Sequence, residues 1–552
     1  MIAPRLALAA AALLVLAAPA TAKDDLVIGF TQYPATLHPN IDSMAAKSYV
    51  LAMLRRPLTA YDKDWNLGCQ LCTELPTMEN GKAKAVKRPD GTTGAAVTFT
   101  INPRATWGDG VPVTTEDVVF TWEVGRAPKT GVAAVELYRR IERNEIHDAK
   151  SFTFHLDKLT YQYNDVSDFQ LLPKHVEGPV FAADPDTYRQ RTLFDAEPLT
   201  PGLHFGPYRL TEIVAGSHLV FEPNPTWYGD QPNFKRITVR AIENTAALEA
   251  NLLSGSIDYV AGELGFTIDQ VLALQKRQPD KFDYVYKPGL VYEHIDLNLE
   301  NKLLKDRRVR QALLHALDRE ALVKQLFEGK QPVAASFVNP LDKVMADDVP
   351  RWPFDAARAA KLLDEAGFRP GADGIRADAA GERLSFELMT TAGNRTRELV
   401  EQVLQNQWKR VGVEIRIRNE PARVFFGETT RKRAYTAMAM YAWISSPENG
   451  PRSQLHSEMV VREANGWSGQ NYTGFADSEM DKLIDALEIE LDFGKRKAIW
   501  AEIQRVYATE LPVLPLYFRA EPYVIPKWLA GIEPTGHQHY TTFRIEHWRS
   551  KS

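Results

Sequence analysis

The segment WGDGVPVTTEDV, residues 107–118, joins a tight turn to the start of a helix. Its two glycines allow the sharp reversal of the chain that a turn requires. Thr114 and Asp117 stand three residues apart, in the spacing of a capping box that satisfies backbone N–H groups at a helix start. Apolar residues alternate over residues 97–101, which predicts a half-buried strand just before the turn. The segment therefore predicts a strand, a turn and a capped helix in succession.

The same alternation of strands and helices continues along the rest of the chain. Two alternating apolar stretches flank residues 215–217, Ala-Gly-Ser, which is a hairpin signal. Runs with helical spacing end at Gly255, Gly329, Gly367 and Gly412, and glycine is the usual residue after the last turn of a helix. This pattern predicts an α/β fold. A chain of 552 residues is long enough to form two or three hydrophobic cores.

The N-terminus has the features of a secretory signal peptide over residues 1–22. Arg5 supplies a positive charge, residues 6–18 are almost all apolar, and residues 20–22 form a small-x-small cleavage site. The alternative is a retained membrane anchor, but the apolar run falls short of the roughly 20 residues that span a bilayer. No cysteine follows the cleavage site to accept a lipid. We therefore expect cleavage before Lys23 and a mature protein free in the periplasm.

Charge and cysteine usage restrict the function further. The formal net charge is −5 with 25% charged residues, so nothing suggests the basic face that nucleic-acid binding needs. The two cysteines, Cys69 and Cys72, form a C-x-x-C motif. In an oxidising compartment this motif favours a small disulfide. A redox pair and half of a zinc site are the alternatives, but no second C-x-x-C or nearby histidine pair completes a metal site.

Six segments, in order along the chain, resemble the bacterial extracellular solute-binding proteins of family 5, which contains dipeptide-, oligopeptide- and nickel-binding proteins. Residues 107–118 are similar to the W-x-D-G-x-P-x-T-A-x-D-V pattern of that family. The other matching segments are residues 36–39, 206–208 with 224–229, 253–258, 308–320 and 362–367. The resemblance extends over most of the chain.

The resemblance implies the α/β, two-lobed fold of periplasmic binding proteins, of the cluster C type with an extra subdomain in the first lobe. Lobe I would then comprise residues 23–75, 200–290 and 520–552, and the extra subdomain residues 76–199. Lobe II would comprise residues 291–519. Two chain crossings, near residues 288–298 and 517–522, would form the hinge about which the lobes close on a ligand.

The function implied by the resemblance is that of a monomeric, non-enzymatic binding component of an ABC importer. It would bind a peptide or peptide-like molecule between the lobes and deliver it to the membrane permease, with no cofactor. An oligosaccharide, an opine-like molecule or a metal chelate is the alternative ligand. The alternative from another functional class is a hydrolase or a periplasmic chaperone. No G-x-S-x-G, H-E-x-x-H, phosphate-binding loop or dinucleotide motif supports an enzyme, and the histidines are scattered.

One departure from the family pattern concerns the ligand. Peptide-binding members have a W-x-x-D segment whose carboxylate pairs with the α-amino group of the peptide. Here Trp443 aligns with the tryptophan and Ser446 with the acid, so the carboxylate is missing. A buried ammonium without a counter-charge is costly, which favours a neutral, anionic or blocked ligand unless Glu448 substitutes.

Other candidate binding residues lie near this segment or at the start of a helix. Aromatic rings offer flat apolar faces, although packing in the core is their other common use. The amides would supply neutral hydrogen bonds, and Arg395 with Arg397 would grip a ligand carboxylate. Tyr33 and His38 follow the first strand and are candidates for the wall of the cleft. The remaining candidates are Tyr441, Trp467, Gln470, Asn471 and Tyr472.

Overall fold

The computed structural model describes residues 23–41, 44–242, 244–421, 424–465 and 469–551. The predicted signal peptide lies outside the described residues. Among those that are described, no helix is both long and apolar enough to cross a membrane.

The predicted capping box is confirmed at the start of the helix Thr115–Arg126. The backbone N–H of Thr114 donates to the Asp117 carboxylate at 2.9 Å. The same carboxylate accepts hydrogen bonds from the indole of the buried Trp107 at 3.1 Å and from the backbone of Lys174 at 2.9 Å. Asp117 therefore holds together the turn, this helix and the start of the helix Lys174–Ala183, which is a structural role.

Three large sheets form the framework, together with three two-stranded hairpins. The first sheet has the order Tyr259–Val260, Asp25–Phe30, Arg236–Ala241, His218–Pro223, Tyr208–Val214. The second has the order Ala83–Lys87, Thr93–Thr100, Ser151–Leu156, Ile141–Ile146. The third has the order Glu414–Ile417, Ser385–Met389, Met438–Ile444, Phe282–Leu297, Val513–Pro526. The hairpins are Thr59–Tyr61 with Leu67–Cys69, Arg369–Pro370 with Arg376–Ala377, and Leu529–Ala530 with Arg549–Ser550.

Helices cover these sheets and begin and end largely where the sequence predicts. Asp477 caps one helix through two backbone N–H groups, and Gly255 follows another in the left-handed conformation. The α-helices are Ala45–Leu54, Thr115–Arg126, Val135–Arg140, Lys174–Ala183, Tyr188–Arg191, Leu193–Ala196, Thr245–Ser254, Ile268–Arg277, Arg307–His315, Arg319–Phe327, Ala356–Glu365, Arg395–Arg410, Arg452–Leu455, Ser478–Ile489 and Phe493–Glu510. The 3₁₀ and π segments are Pro185–Thr187, Gly262–Leu264, Phe425–Thr430, Ser457–Met459, Glu463–Asn465 and Thr541–His547.

Two long antiparallel strands, Phe282–Leu297 and Val513–Pro526, connect separate hydrophobic cores. Phe282 packs in a core cluster beside the first sheet, whereas Leu297 packs in the core of the third sheet. The crossings expected at residues 288–298 and 517–522 fall within these strands. The second strand contains prolines near its middle and end and runs on to Pro526. It lies at the edge of its sheet, where a proline needs no partner for its missing N–H.

The second sheet has its own core, rich in phenylalanine and tryptophan. This core also includes Leu58, Leu71 and Phe205, which come from outside residues 76–199. Cys69 and Cys72 border it and form a disulfide with their Cα atoms 5.4 Å apart.

Candidate functional site

A cavity of about 530 Å³ lies beside the middle of the crossing strands, where Leu290, Val291 and Glu521 line it. One wall consists of the helix Ala45–Leu54 and residues 536–540, beside the first sheet. Residues 132–134 and 167–170, from the region of the second sheet, form a second wall. Ile444 and Ser445, at the end of a strand of the third sheet, form the wall on the opposite side of the cavity. We call this cavity the cleft.

A second, small cavity of about 60 Å³ opens beside the cleft, within the third-sheet region. Ile444 and Ser445 line both cavities, so the two share a boundary. The residues that line the second cavity include five aromatic side chains: Tyr292, Phe337, Trp443, Tyr472 and Tyr507. We call this cavity the aromatic pocket.

The strand Met438–Ile444 positions the pocket residues by its pairing with Phe282–Leu297. Trp443 lies opposite Tyr292, and Tyr441 lies opposite His294. Because alternate residues of a strand face the same side, Tyr441 and Trp443 point together, with ring centroids 5.6 Å apart. The Tyr441 hydroxyl donates to the buried carboxylate of Asp296. Tyr441 thus supports the pocket from beneath and is not among the residues that line it.

The structure brings three of the candidate residues into the aromatic pocket: Trp443, Gln470 and Tyr472. The rings of Trp443 and Tyr472 stack with centroids 5.8 Å apart and planes 25° apart. Asn471 lies between Gln470 and Tyr472 but is wholly buried. Its amide accepts from Gly474 and Phe475 and donates to two backbone carbonyls, so it holds the loop. Trp467 lies outside the described residues.

Ser446, the residue at the position of the missing acid, lines neither cavity, whereas its neighbour Ser445 lines both. Glu448, the possible substitute, faces away toward Arg496, with 3.3 Å between Oε2 and Nη2. Its backbone N–H donates to Asp342 at 3.0 Å. Burial raises the pKa of Glu448, and the neighbouring Arg496 opposes this shift.

The remaining candidates lie apart from the two cavities. Arg395 is exposed at the start of the helix Arg395–Arg410. Arg397 points inward and pairs with the buried Glu293, with 3.2 Å between the charged atoms. Tyr33 is half-buried and packs against the hydrophobic core formed by the first sheet. His38 is buried, and its Nδ1 accepts from two backbone N–H groups at 3.2 Å each.

Several ionisable residues that line the cavities were not among the predicted site residues; in the cleft they include Lys47, Arg55, His537 and His539. His294 and Asp296 line the aromatic pocket, with 3.3 Å between Nε2 and Oδ1. Asp296 follows His294 by two residues on the same strand, so the two side chains point to the same face. Asp168 and Glu521 line the cleft. The sequence did contain a signal for His294 and Asp296, namely polar residues at alternate positions of an otherwise apolar strand, as at residues 293–298.

Glu521 lies on a crossing strand and faces a second carboxylate. Its Oε2 accepts from the Tyr523 hydroxyl at 2.9 Å. Burial, and then the negative charge of Glu263, raise the pKa of Glu521 to about 7. Within the part of the chain that the structure describes, no group of three or more His, Cys, Asp or Glu side chains is arranged to hold a metal ion.

Contacts at the rim join the second-sheet region to the third-sheet region across the cleft. Lys158 pairs with Glu488 at 2.6 Å, and the backbone N–H of Tyr161 donates to the Glu488 carbonyl at 3.0 Å. The Tyr161 hydroxyl donates to the carbonyl of Glu448, and the guanidinium of Arg496 lies 4.8 Å from the Tyr161 ring centroid. The two sides of the cleft are therefore in direct contact at its edge.

Comparison with known proteins places this geometry in a family. The model for bacterial extracellular solute-binding proteins, family 5 Middle, matches residues 82–457. The chain is 28% identical to the oligopeptide-binding protein AppA of Bacillus subtilis over 544 residues, which covers 95% of this chain and 91% of AppA. It is 27% identical to protein XP55 of Streptomyces lividans over 491 residues, covering 89% of this chain and 82% of XP55.

Solved structures with the same fold include binding proteins for different ligands. The oligopeptide-binding protein from Thermus thermophilus, complexed with a pentapeptide, has a TM-score of 0.71 at 32% identity, with 96% of each chain covered. NikZ from Campylobacter jejuni, in complex with Ni(L-His), has a TM-score of 0.73 at 22% identity, with 96% of this chain and all of NikZ covered, and shows the fold alone. The predicted two-lobed α/β fold is confirmed. The chain belongs to the bacterial extracellular solute-binding proteins of family 5.

Proposed function

We propose that this chain is the periplasmic, monomeric and non-enzymatic binding component of an ABC importer. It takes a peptide or peptide-like molecule into the cleft and delivers it to the membrane permease. In this proposal lobe I comprises residues 23–75, 200–290 and 520–552, with residues 76–199 as its extra subdomain. Lobe II comprises residues 291–519. Residues 1–22 direct export and are removed.

The observation that carries the proposal is the cleft itself. Its volume of about 530 Å³ lies within the roughly 300–1,000 Å³ of pockets that take up small-molecule ligands. Rim contacts such as Lys158 with Glu488 join its two sides, so closure and enclosure of a ligand are linked. Relatives that bind oligopeptides agree with this ligand class.

The ligand residues in this proposal come from several of the sequence candidates. Trp443, Tyr472 and Gln470 contact the part of the ligand that enters the aromatic pocket. Tyr441 and Asn471 hold these residues in place through their own hydrogen bonds. The alternative ligand, a non-peptide molecule or metal chelate, is favoured by one observation: Ser446 provides no carboxylate for an α-amino group.

Mass spectrometry of small molecules released from the purified protein on denaturation tests the proposal. We expect peptides or peptide-like molecules from the wild-type protein. Ser445→Trp, which fills the boundary between the two cavities, should release none. The matched control Ser217→Trp lies in an exposed hairpin turn and should release the same molecules as wild type. Recovery of only non-peptide molecules would show that the proposed ligand class is wrong. Equal recovery from both variants would show that the ligand does not bind in the cleft.

A further inference from the structure

The inner end of the aromatic pocket contains a buried carboxylate and a buried imidazole. Asp296 and His294 are respectively 3% and 0% exposed, and both line the pocket. The rest of the wall consists of aromatic, aliphatic and neutral polar residues. Charged groups in such surroundings are rare unless they meet a partner, because removing them from water is costly.

The hydrogen bonds of these two residues leave acceptor atoms facing the pocket. The Nδ1 atom of His294 lies 3.1 Å from the backbone carbonyl of Tyr292, so this nitrogen carries a proton and donates. Its Nε2 atom is buried and forms no hydrogen bond with the described residues. The Tyr441 hydroxyl donates to Oδ2 of Asp296, while Oδ1 lies 3.3 Å from that Nε2 atom. In the tautomer with the proton on Nδ1, His294 Nε2 and Asp296 Oδ1 are therefore two acceptors side by side.

Two acceptors beside an apolar cavity call for a donor from outside the chain. Among the described residues, no lysine or arginine pairs with Asp296, and His294 Nε2, an acceptor in this tautomer, supplies no counter-charge. The walls add a second attraction, since cations bind favourably to the faces of Trp and Tyr rings. Trp443 and Tyr472 present such faces.

We propose that the aromatic pocket binds a protonated amine of the ligand, with Asp296 as its counter-charge and His294 Nε2 as a second acceptor. Asp296 then supplies the carboxylate that Ser446 lacks, from the neighbouring strand of the same sheet. This proposal rests on the proposed function, and it narrows the ligand to one that carries an ammonium group. The ammonium comes from the N-terminus of a peptide or from a lysine side chain.

Three synthetic pentapeptides distinguish these sources: one with a free N-terminus and no lysine, its N-acetylated form, and an N-acetylated form with one lysine. Isothermal titration calorimetry at pH 7 gives the dissociation constant of each. We expect the wild-type protein to bind at least one amine-bearing peptide about tenfold more tightly than the acetylated, lysine-free peptide, as for one good charge-assisted contact. The preferred peptide identifies the source of the amine.

Asp296→Asn should abolish this tenfold preference and leave the dissociation constant of the acetylated, lysine-free peptide within about twofold. The matched control is Glu401→Gln, which removes a buried carboxylate of the same lobe outside both cavities. This control should retain the preference. Val513→Phe, which fills the pocket from the opposite strand without changing Asp296, should also abolish it, and it decides the question if Asp296→Asn does not fold.

The outcomes separate the two proposals. Equal binding of all three peptides by wild type, or a preference that survives Asp296→Asn or Val513→Phe, would overturn the amine site while leaving peptide binding intact. No binding of any peptide would overturn the proposed ligand class and the amine site together.

Discussion

Replacing Glu293 with glutamine removes the carboxylate that two arginines share beside the hinge. Glu293 is 1% exposed and pairs with Arg397 at 3.2 Å. Arg519 donates to the same carboxylate through Nε at 2.7 Å. The substitution keeps the shape of the side chain but leaves two guanidinium groups without a negative charge.

The expected loss follows from the burial of this group. Breaking a buried ion pair by removing one partner costs about 3–5 kcal/mol, because a buried charge is left uncompensated. Arg519 is partly exposed and regains some hydration, and glutamine still accepts one hydrogen bond. We therefore expect Glu293→Gln to lower the free energy of unfolding by about 3 kcal/mol, at the lower end of this range.

Urea denaturation followed by tryptophan fluorescence at pH 7 measures this difference. Glu502→Gln is the matched control, since its pair with Arg505 is exposed and should contribute less than about 1 kcal/mol. A loss for Glu293→Gln no larger than that of the control would refute the reasoning.

The pH dependence gives an independent check of the same ion pair. Desolvation alone would raise the pKa of Glu293, but the charges of Arg519 and Arg397 outweigh it and hold the pKa below its usual value. A lowered pKa means that the stabilisation is present above the unfolded pKa of about 4.3 and is lost as the pH falls through the folded pKa. The difference between wild type and Glu293→Gln should therefore shrink below about pH 4.

Ile444→Ala should raise the dissociation constant of the ligand about tenfold, because the Ile444 side chain is 77% exposed and lines both cavities. The control Ile489→Ala should leave the dissociation constant unchanged, because Ile489 is 60% exposed but lies on an outer helix. Calorimetric titration compares them, and equal values would contradict the assignment of the cavities. Tyr161→Phe removes a hydrogen bond across the rim worth about 1 kcal/mol and should weaken binding about fivefold without lowering the melting temperature of the ligand-free protein. An unchanged dissociation constant would show that this contact does not favour closure. Burial and the charge of Glu263 raise the pKa of Glu521 to about 7. Ionisation of Glu521 therefore lowers the free energy of unfolding as the pH rises from about 4.3, its unfolded pKa, to about 7. Glu521→Gln should melt at a higher temperature than wild type at pH 8 and lose most of this advantage at pH 5, and an equal shift at both pH values would contradict it.

Local chemistry made several elements predictable from the sequence. The capping box at Thr114 and Asp117, and the turn at residues 215–217, depend on contacts within a few residues. The left-handed Gly255 likewise ends its helix by a local conformation that side chains rarely adopt. Such features can be identified without knowledge of the distant parts of the chain.

The candidate site was less predictable because long-range pairing decides it. Trp443 and Tyr472 meet in one pocket, yet their neighbours Tyr441 and Asn471 are occupied in holding strand and loop. The sequence alone does not show that Asp296 and Tyr441 are joined, since 145 residues separate them. The burial of Arg397 against Glu293 depends in the same way on a distant strand.

The rim contacts of Lys158 and Tyr161 lie outside the two cavities. Substitutions there alter the balance between open and closed forms without touching the groups that recognise the ligand. Selection can therefore adjust how long a bound molecule is retained, and hence how readily it passes to the next component, while its chemical identity is decided elsewhere. Under the proposed function, retention and discrimination are therefore separately tunable traits.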